Sequence, residues 1–227
     1  MADLIVQSRE LAKGRDINLN LMNITLFRPV GLYELSLIWD KGMRGFPPRL
    51  PQQPIFYPVA NIAYARQIAL DWNTRDEKSG FSGFVTTFQL EPTYLSKFEP
   101  HTVGSSMHVE YWVPAEDLNS FNEALRGLIR LQEGFFGAAF IGYVPDAFGL
   151  KGKNATDQFV TLSETWEYST FDVSCEISTN RKAVFLNWLF WAQNDFSDFG
   201  ISEEQRGNIL GNLKQCWDFN HIEIPLP

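Results

Sequence analysis

Three short apolar runs in the first half of the chain each carry one polar residue able to do chemistry. They are Arg28 in Leu26-Phe27-Arg28, Tyr57 in Ile55-Phe56-Tyr57, and Glu110 in Val109-Glu110-Tyr111-Trp112. An arginine offers parallel N–H groups that grip a pyrophosphate through two hydrogen bonds. A tyrosine held between Phe56 and Pro58 presents a flat ring that stacks on a cationic one. A carboxylate on a strand face needs water, a partner or a task. His108 and Glu110 stand two apart and so share one face of a strand, with Val109, Tyr111 and Val113 on the other. On neighbouring strands, the arginine, tyrosine and glutamate would line one cleft and bind an anionic, ring-bearing ligand. Each also has a plainer reading: a rim arginine paired to a carboxylate, a tyrosine packed at the core edge, a solvated or paired glutamate.

Arg44 and Arg49, with Arg28 not far behind, form a small cationic group that could hold phosphates or simply face solvent. The chain as a whole is acidic, with a net charge of −8 and a pI near 4.9. It has no run rich in Lys and Arg, which argues against nucleic-acid binding. Other familiar chemistries lack their residues. There is no His-Glu-x-x-His, and His101, His108 and His221 are too scattered to suggest a metal site. No Gly-x-Ser-x-Gly elbow occurs. Gly149-Leu150-Lys151-Gly152-Lys153-Asn154 lacks the first glycine of a phosphate loop and ends in Asn rather than Ser or Thr, so it reads as a plain loop. Cys175 and Cys216 are far apart in apolar surroundings and read as reduced, buried thiols of a cytosolic protein. Residues 1–20 mix charges without an apolar signal core, and no stretch holds the ~20 apolar residues of a membrane span. The expected location is the cytoplasm, away from membranes.

These side chains need elements to position them. Hydrophobic residues make up 44% of the 227, and 19 are Phe, so core material is ample and one large or two small domains are possible. Residues 1–20 read as an arm, and residues 21–27 as a strand ended by Pro29 and Gly31. Leu32, Leu35, Ile38 and Trp39 recur at helical spacing up to Gly42. Four prolines between Pro47 and Pro54 impose a stiff, extended loop. Asn61 caps a helix with Ile62, Ala65, Ile68, Ala69 and Trp72 on one face. A polar turn over residues 73–80 leads to strands over 84–90 and 107–113, a short helix over 115–122 and a last strand over 128–132. Glycines from Gly134 to Gly152 mark a boundary, with residues 136–154 as a linker. Beyond it, helices are expected over 155–168, 181–194 and 202–217, and a strand over 171–177. Ser202 with Glu203, Glu204 and Gln205 makes a strong helix start. The 181–194 helix is apolar nearly all round, so the rest of the protein or a partner subunit must cover it.

Residues 24–135 resemble the ADP-ribosyltransferase fold, and more closely a bacterial group labelled ADP-ribosylation/crystallin J1. The resemblance rests on Leu26-Phe27-Arg28-Pro29-Val30-Gly31, on residues 46–59 from Phe46-Pro47-Pro48-Arg49 to Tyr57-Pro58-Val59, on Val103-Gly104, and on Glu110-Tyr111-Trp112-Val113-Pro114-Ala115-Glu116. Gly149 to Thr156 and the closing Pro225-Leu226-Pro227 resemble an extension of similar proteins. The resemblance implies an α+β fold: a split mixed or antiparallel sheet with flanking helices over residues 21–135, then a mainly helical part over 155–227. It implies that Arg28 holds NAD, that Tyr57 stacks on nicotinamide, and that Glu110 stabilises the cation-like ribose as nicotinamide leaves. His108 would face the acceptor. Arg44 and Arg49 are further candidates for the phosphates. The chain carries Phe56-Tyr57-Pro58 where the arginine-type pattern has Ser-x-Ser, and Arg28 where the histidine-type pattern has His. The expected activity is transfer of ADP-ribose to an acceptor or to water, with NAD consumed and no metal. Two other readings stay open: a non-catalytic module that binds a protein or itself, and a binder of another nucleotide or phosphorylated metabolite.

Overall fold

A computed structural model describes residues 23–220 and 223–227. The N-terminal arm, the first residues of the expected 21–27 strand, and His221 lie outside the described residues. Strand β1 (Ile24–Val30) pairs antiparallel with β3 (Ser82–Leu90), and β3 with β7 (Leu125–Phe136), to form a three-stranded sheet with β3 at its centre. Contrary to expectation, Pro29 lies inside β1. Phe27 turns its N–H and C=O to Val59, away from β3. Pro29, two residues on, turns the same way, so its missing donor costs the β1–β3 ladder nothing. The last strand is also much longer than the 128–132 core, and Gly127 and Gly134 both lie within it.

Helix α1 (Leu32–Asp40) follows β1 and buries Leu32, Leu35 and Ile38. The proline segment leads to β2 (Ile55–Phe56). Helix α2 (Ile62–Asp71) starts where the side chain of Asn61 accepts the N–H of Ala63. Its Ala65 and Ala69 are buried, but Trp72 is 62% exposed and does not belong to the core face. A methyl group on Gly83 of β3 would lie 2.0 Å from the carbonyl oxygen of Ala69. Only glycine lets α2 approach the sheet this closely.

Helix α3 (Pro92–Leu95), β4 (Pro100–Thr102), β5 (Val109–Tyr111), β6 (Val113–Pro114), and α4 (Leu118–Glu123) complete the first half. The single strand expected over 107–113 is in fact two. β5 pairs with β4, β6 pairs with β2, and Trp112 turns the chain between them.

Four helices follow: α5 (Ala155–Tyr168), α6 (Thr170–Thr179), α7 (Arg181–Gln193), and α8 (Glu203–Phe219). Helix α6 replaces the strand expected over 171–177. Phe171, Val173, Cys175 and Ile177 alternate as a strand would, yet Ser169 caps a helix by accepting the N–H of Asp172. Val173 and Ile177 then fall on one buried stripe and Phe171 faces out. Ser202 and Gln205 form the expected capping box of α8.

The core does not stop at the glycine-rich stretch. One apolar cluster runs from Leu26 and Phe84 through Ile129 to Phe159, Trp191 and Trp217. Residues 137–154 are pinned rather than free. Tyr143 hydrogen-bonds through its backbone to Asn187 and Gln158, and Leu150 is fully buried. Helix α7 is covered by this same chain: Val184, Phe185, Leu186 and Trp191 are all buried. The second cluster, with Val59, Tyr64, Ala65, Ala69 and Val85, fills the space between α2 and the sheet. Cys175 and Cys216 are half-buried free thiols, not fully buried ones. No helix among the described residues is long and apolar enough to cross a membrane.

Candidate functional site

The three apolar runs meet at the open side of β1. Phe27 exchanges both backbone hydrogen bonds with Val59, at 2.9 and 2.8 Å. The same short segment then turns to β5, where Ala60 N–H donates to Val109 O and Tyr111 N–H to Pro58 O, each at 2.9 Å. Residues 57–60 thus act as a splint between the strand of Arg28 and the strand of Glu110. Arg28, Tyr57 and Glu110 all line one open cleft of about 310 Å³, together with Tyr64, Ile68 and Trp72 of the α2 region.

Glu110 is gripped on both oxygens. Its Oε1 accepts the indole N–H of Trp112 at 2.7 Å, and its Oε2 accepts the hydroxyl of Tyr64 at 3.4 Å. Each donor is backed by a histidine ring. His101 stacks on Trp112 at 4.1 Å and His108 stacks on Tyr64 at 4.3 Å. The ring of Tyr57 meets Trp112 edge-on. Burial raises the pKa of the Tyr64 hydroxyl above its ordinary value, and the charge of Glu110 and the hydrogen bond to it act in the same direction. Tyr64 therefore stays a protonated donor to the carboxylate.

His108 does not line the cleft, contrary to its expected place facing an acceptor. Its ring nitrogens are engaged by Val103 O and Gln67 Oε1, both at 3.1 Å. It lies in a turn just before β5, and it supports Glu110 only through the stacked ring of Tyr64.

Arg28 is only 9% exposed. Its guanidinium forks onto Glu34 of α1, with Nε to Oε1 and Nη2 to Oε2 both at 3.2 Å. Nη1 donates to Tyr57 O at 3.1 Å, and the group lies 4.9 Å from the centre of the Phe56 ring. The plain reading of a paired arginine and the reading of a cleft-lining one both hold for this side chain. Arg49 stands on the other side of Glu34, with Nη1 3.7 Å from Oε1. Burial, and then the neighbouring Arg28, lower the pKa of the Arg49 guanidinium below its ordinary value, while Glu34 and Tyr57 partly offset this. Arg44 does not join them. It is exposed, 3.9 Å from Glu223 in a separate part of the molecule, so the expected three-arginine group is a pair.

The cleft is therefore polar end to end. Arg28 and Glu34 pair at the β1–α1 end, Arg49 stands beyond Glu34 in the wall of a neighbouring cavity, and Glu110 supplies negative charge at the β5 end. Such a site suits a ligand that brings positive charge, permanent or developing, to Glu110 and polar groups to the Arg28–Glu34 pair. Glu34, Tyr64 and Trp72 belong to this site and were not anticipated. Glu34 carried one readable signal: it falls in the first turn of the helix that follows Arg28. Tyr64 and Trp72 carried none, since an aromatic on an amphipathic helix reads as core. Among the described residues, no three His, Cys, Asp or Glu side chains come together as metal ligands. No protein-family model, curated protein or solved structure matches this chain.

Proposed function

We propose that this cleft binds NAD and breaks the bond between nicotinamide and ribose, passing ADP-ribose to an acceptor or to water, on an ADP-ribosyltransferase-like fold. The observation that carries the reading is the convergence of Arg28, Tyr57 and Glu110 on one open cleft, which so carries an arginine, an aromatic ring and a fixed carboxylate together. Arg28 holds the anionic linkage. Tyr57, 37% exposed beside Trp112, supplies the ring face for nicotinamide. As the glycosidic bond breaks, its electron pair leaves with the nicotinamide nitrogen and positive charge grows on the ribose. The carboxylate of Glu110, fixed by Trp112 and Tyr64 before the reaction begins, stabilises that charge without having to reorganise. The acceptor oxygen or nitrogen then forms the new bond and gives up its proton.

Nicotinamide release from NAD by the purified protein tests this reading. Release is expected from the unaltered chain, with a loss of roughly 100-fold or more in Glu110→Gln and an unchanged circular dichroism spectrum. A folded protein that neither binds NAD by calorimetry nor releases nicotinamide would overturn it.

A further inference from the structure

A second cavity, also of about 310 Å³, lies on the far side of Glu34 from the first. The two share Gly31, Glu34 and Ser79 in their walls. Arg49 lines the second cavity, and its side chain is 9% exposed. For a buried guanidinium it is poorly satisfied. Nη2 donates to Gln53 at 3.1 Å, Nη1 is too far from Glu34 to hydrogen-bond, and Nε is buried with no partner among the described residues. An unpartnered donor on a buried cation is costly unless something else meets it. A second cation beside it, Arg28, adds to the cost.

The arginine is also held in advance. Pro47 and Pro48 precede it and Pro51 and Pro54 follow. Asn122 clamps Phe46 on both its N–H and its C=O, and Ala115 N–H holds Pro54 O. A side chain placed by so stiff a loop loses little freedom on binding. Above it, the cavity presents an apolar shelf that solvent now covers: Tyr33, Leu37 and Leu50 are each at least half exposed.

We infer that this second cavity binds a phosphorylated nucleoside, its phosphate on Arg49 and its base on the shelf of Tyr33, Leu37 and Leu50. Phosphate oxygens meet the N–H groups on Nη1 of Arg49, which Glu34 leaves without a hydrogen bond, and a flat base covers the exposed apolar side chains. That this nucleoside is the adenylate half of NAD, with the pyrophosphate crossing at Glu34 between Arg28 and Arg49, rests on the reading of the first cavity. The phosphate site at Arg49 stands without it.

Titration calorimetry with ADP, inorganic pyrophosphate and nicotinamide mononucleotide separates the cavities. The unaltered protein binds ADP. Arg49→Gln weakens ADP and pyrophosphate binding by roughly tenfold or more, and leaves nicotinamide mononucleotide unaffected. Tyr33→Ala, on an exposed position that folding does not need, weakens ADP but not pyrophosphate. It decides the matter if Arg49→Gln proves unfolded by its melting curve. Failure of the unaltered protein to bind ADP, or ADP binding by both variants as tight as that of the unaltered protein, overturns the inference. NAD cleavage that persists with unchanged affinity in both variants overturns the assignment of this nucleoside to the adenylate half of NAD and leaves the NAD reading in place. Arg49-dependent ADP binding with no nicotinamide release from NAD upholds the site and overturns the NAD reading.

Discussion

Glu110 is held by two donors of unequal quality, a short indole N–H and a longer phenol. The phenol gives a test that does not depend on any activity. In the unfolded chain Tyr64 ionises near pH 10, and in the folded chain its pKa is higher. Between those two values the folded state binds more protons than the unfolded one, so stability falls as pH rises. Urea midpoints followed from about pH 9 to about pH 11 should drop more in the unaltered protein than in Tyr64→Phe. Parallel curves would mean that Tyr64 is not held as described. At neutral pH, Tyr64→Phe should lower nicotinamide release less than Glu110→Gln does, because Trp112 still orients the carboxylate. A rate assay on the two variants makes that comparison.

At the scale of elements, the cleft depends on how closely α2 lies against the sheet. Gly83→Ala places a methyl group inside the backbone of Ala69. The helix must shift, at a cost of about 1–3 kcal/mol, and Tyr64, Ile68 and Trp72 move with it. Chemical denaturation should show the lost stability, and calorimetry should show weakened NAD binding in the same variant. Asn61→Ala removes the cap of that helix and should cost about 1 kcal/mol, with a smaller effect on binding because the packing against Gly83 remains. Equal effects on binding would argue against the close approach as the positioning device.

For the whole molecule, the continuous core predicts cooperative unfolding. Far-ultraviolet circular dichroism, which reports on all the helices, and tryptophan fluorescence should give coincident urea transitions. Two separated transitions would show that the sheet and the α5–α8 region fold independently. Asn187 provides the sharper probe. It is fully buried, accepts Tyr143 N–H at 2.8 Å, and donates to Tyr143 O and Gln158 Oε1 at 2.9 Å each. Asn187→Ala strands those partners in a dry core and should cost about 3 kcal/mol, measured by the same denaturation. It should do so without separating the transitions, since the loss falls on a junction that both halves share.

The residues by themselves determined much that is local. The acidic balance, the caps at Asn61 and Ser202, the stiff proline segment and the helical stripes of α1 and α5 follow from side-chain chemistry within a few residues. So did the choice of Arg28, Tyr57 and Glu110, because a polar group on an apolar strand stands out at once. Local pattern failed where tertiary contacts outweighed it. The alternation at 171–177 could not reveal that the cap at Ser169 and the burial of Val173 with Ile177 make α6 a helix. The apolar surface of α7 could not say whether this chain or another would cover it. Only the fold brought the three runs together, through the Val59 splint, and only the fold set Glu34 between two arginines and sent Arg44 elsewhere. Those are pairings between residues far apart in the chain. Their geometry comes from strand register and helix packing, which no short stretch of sequence contains.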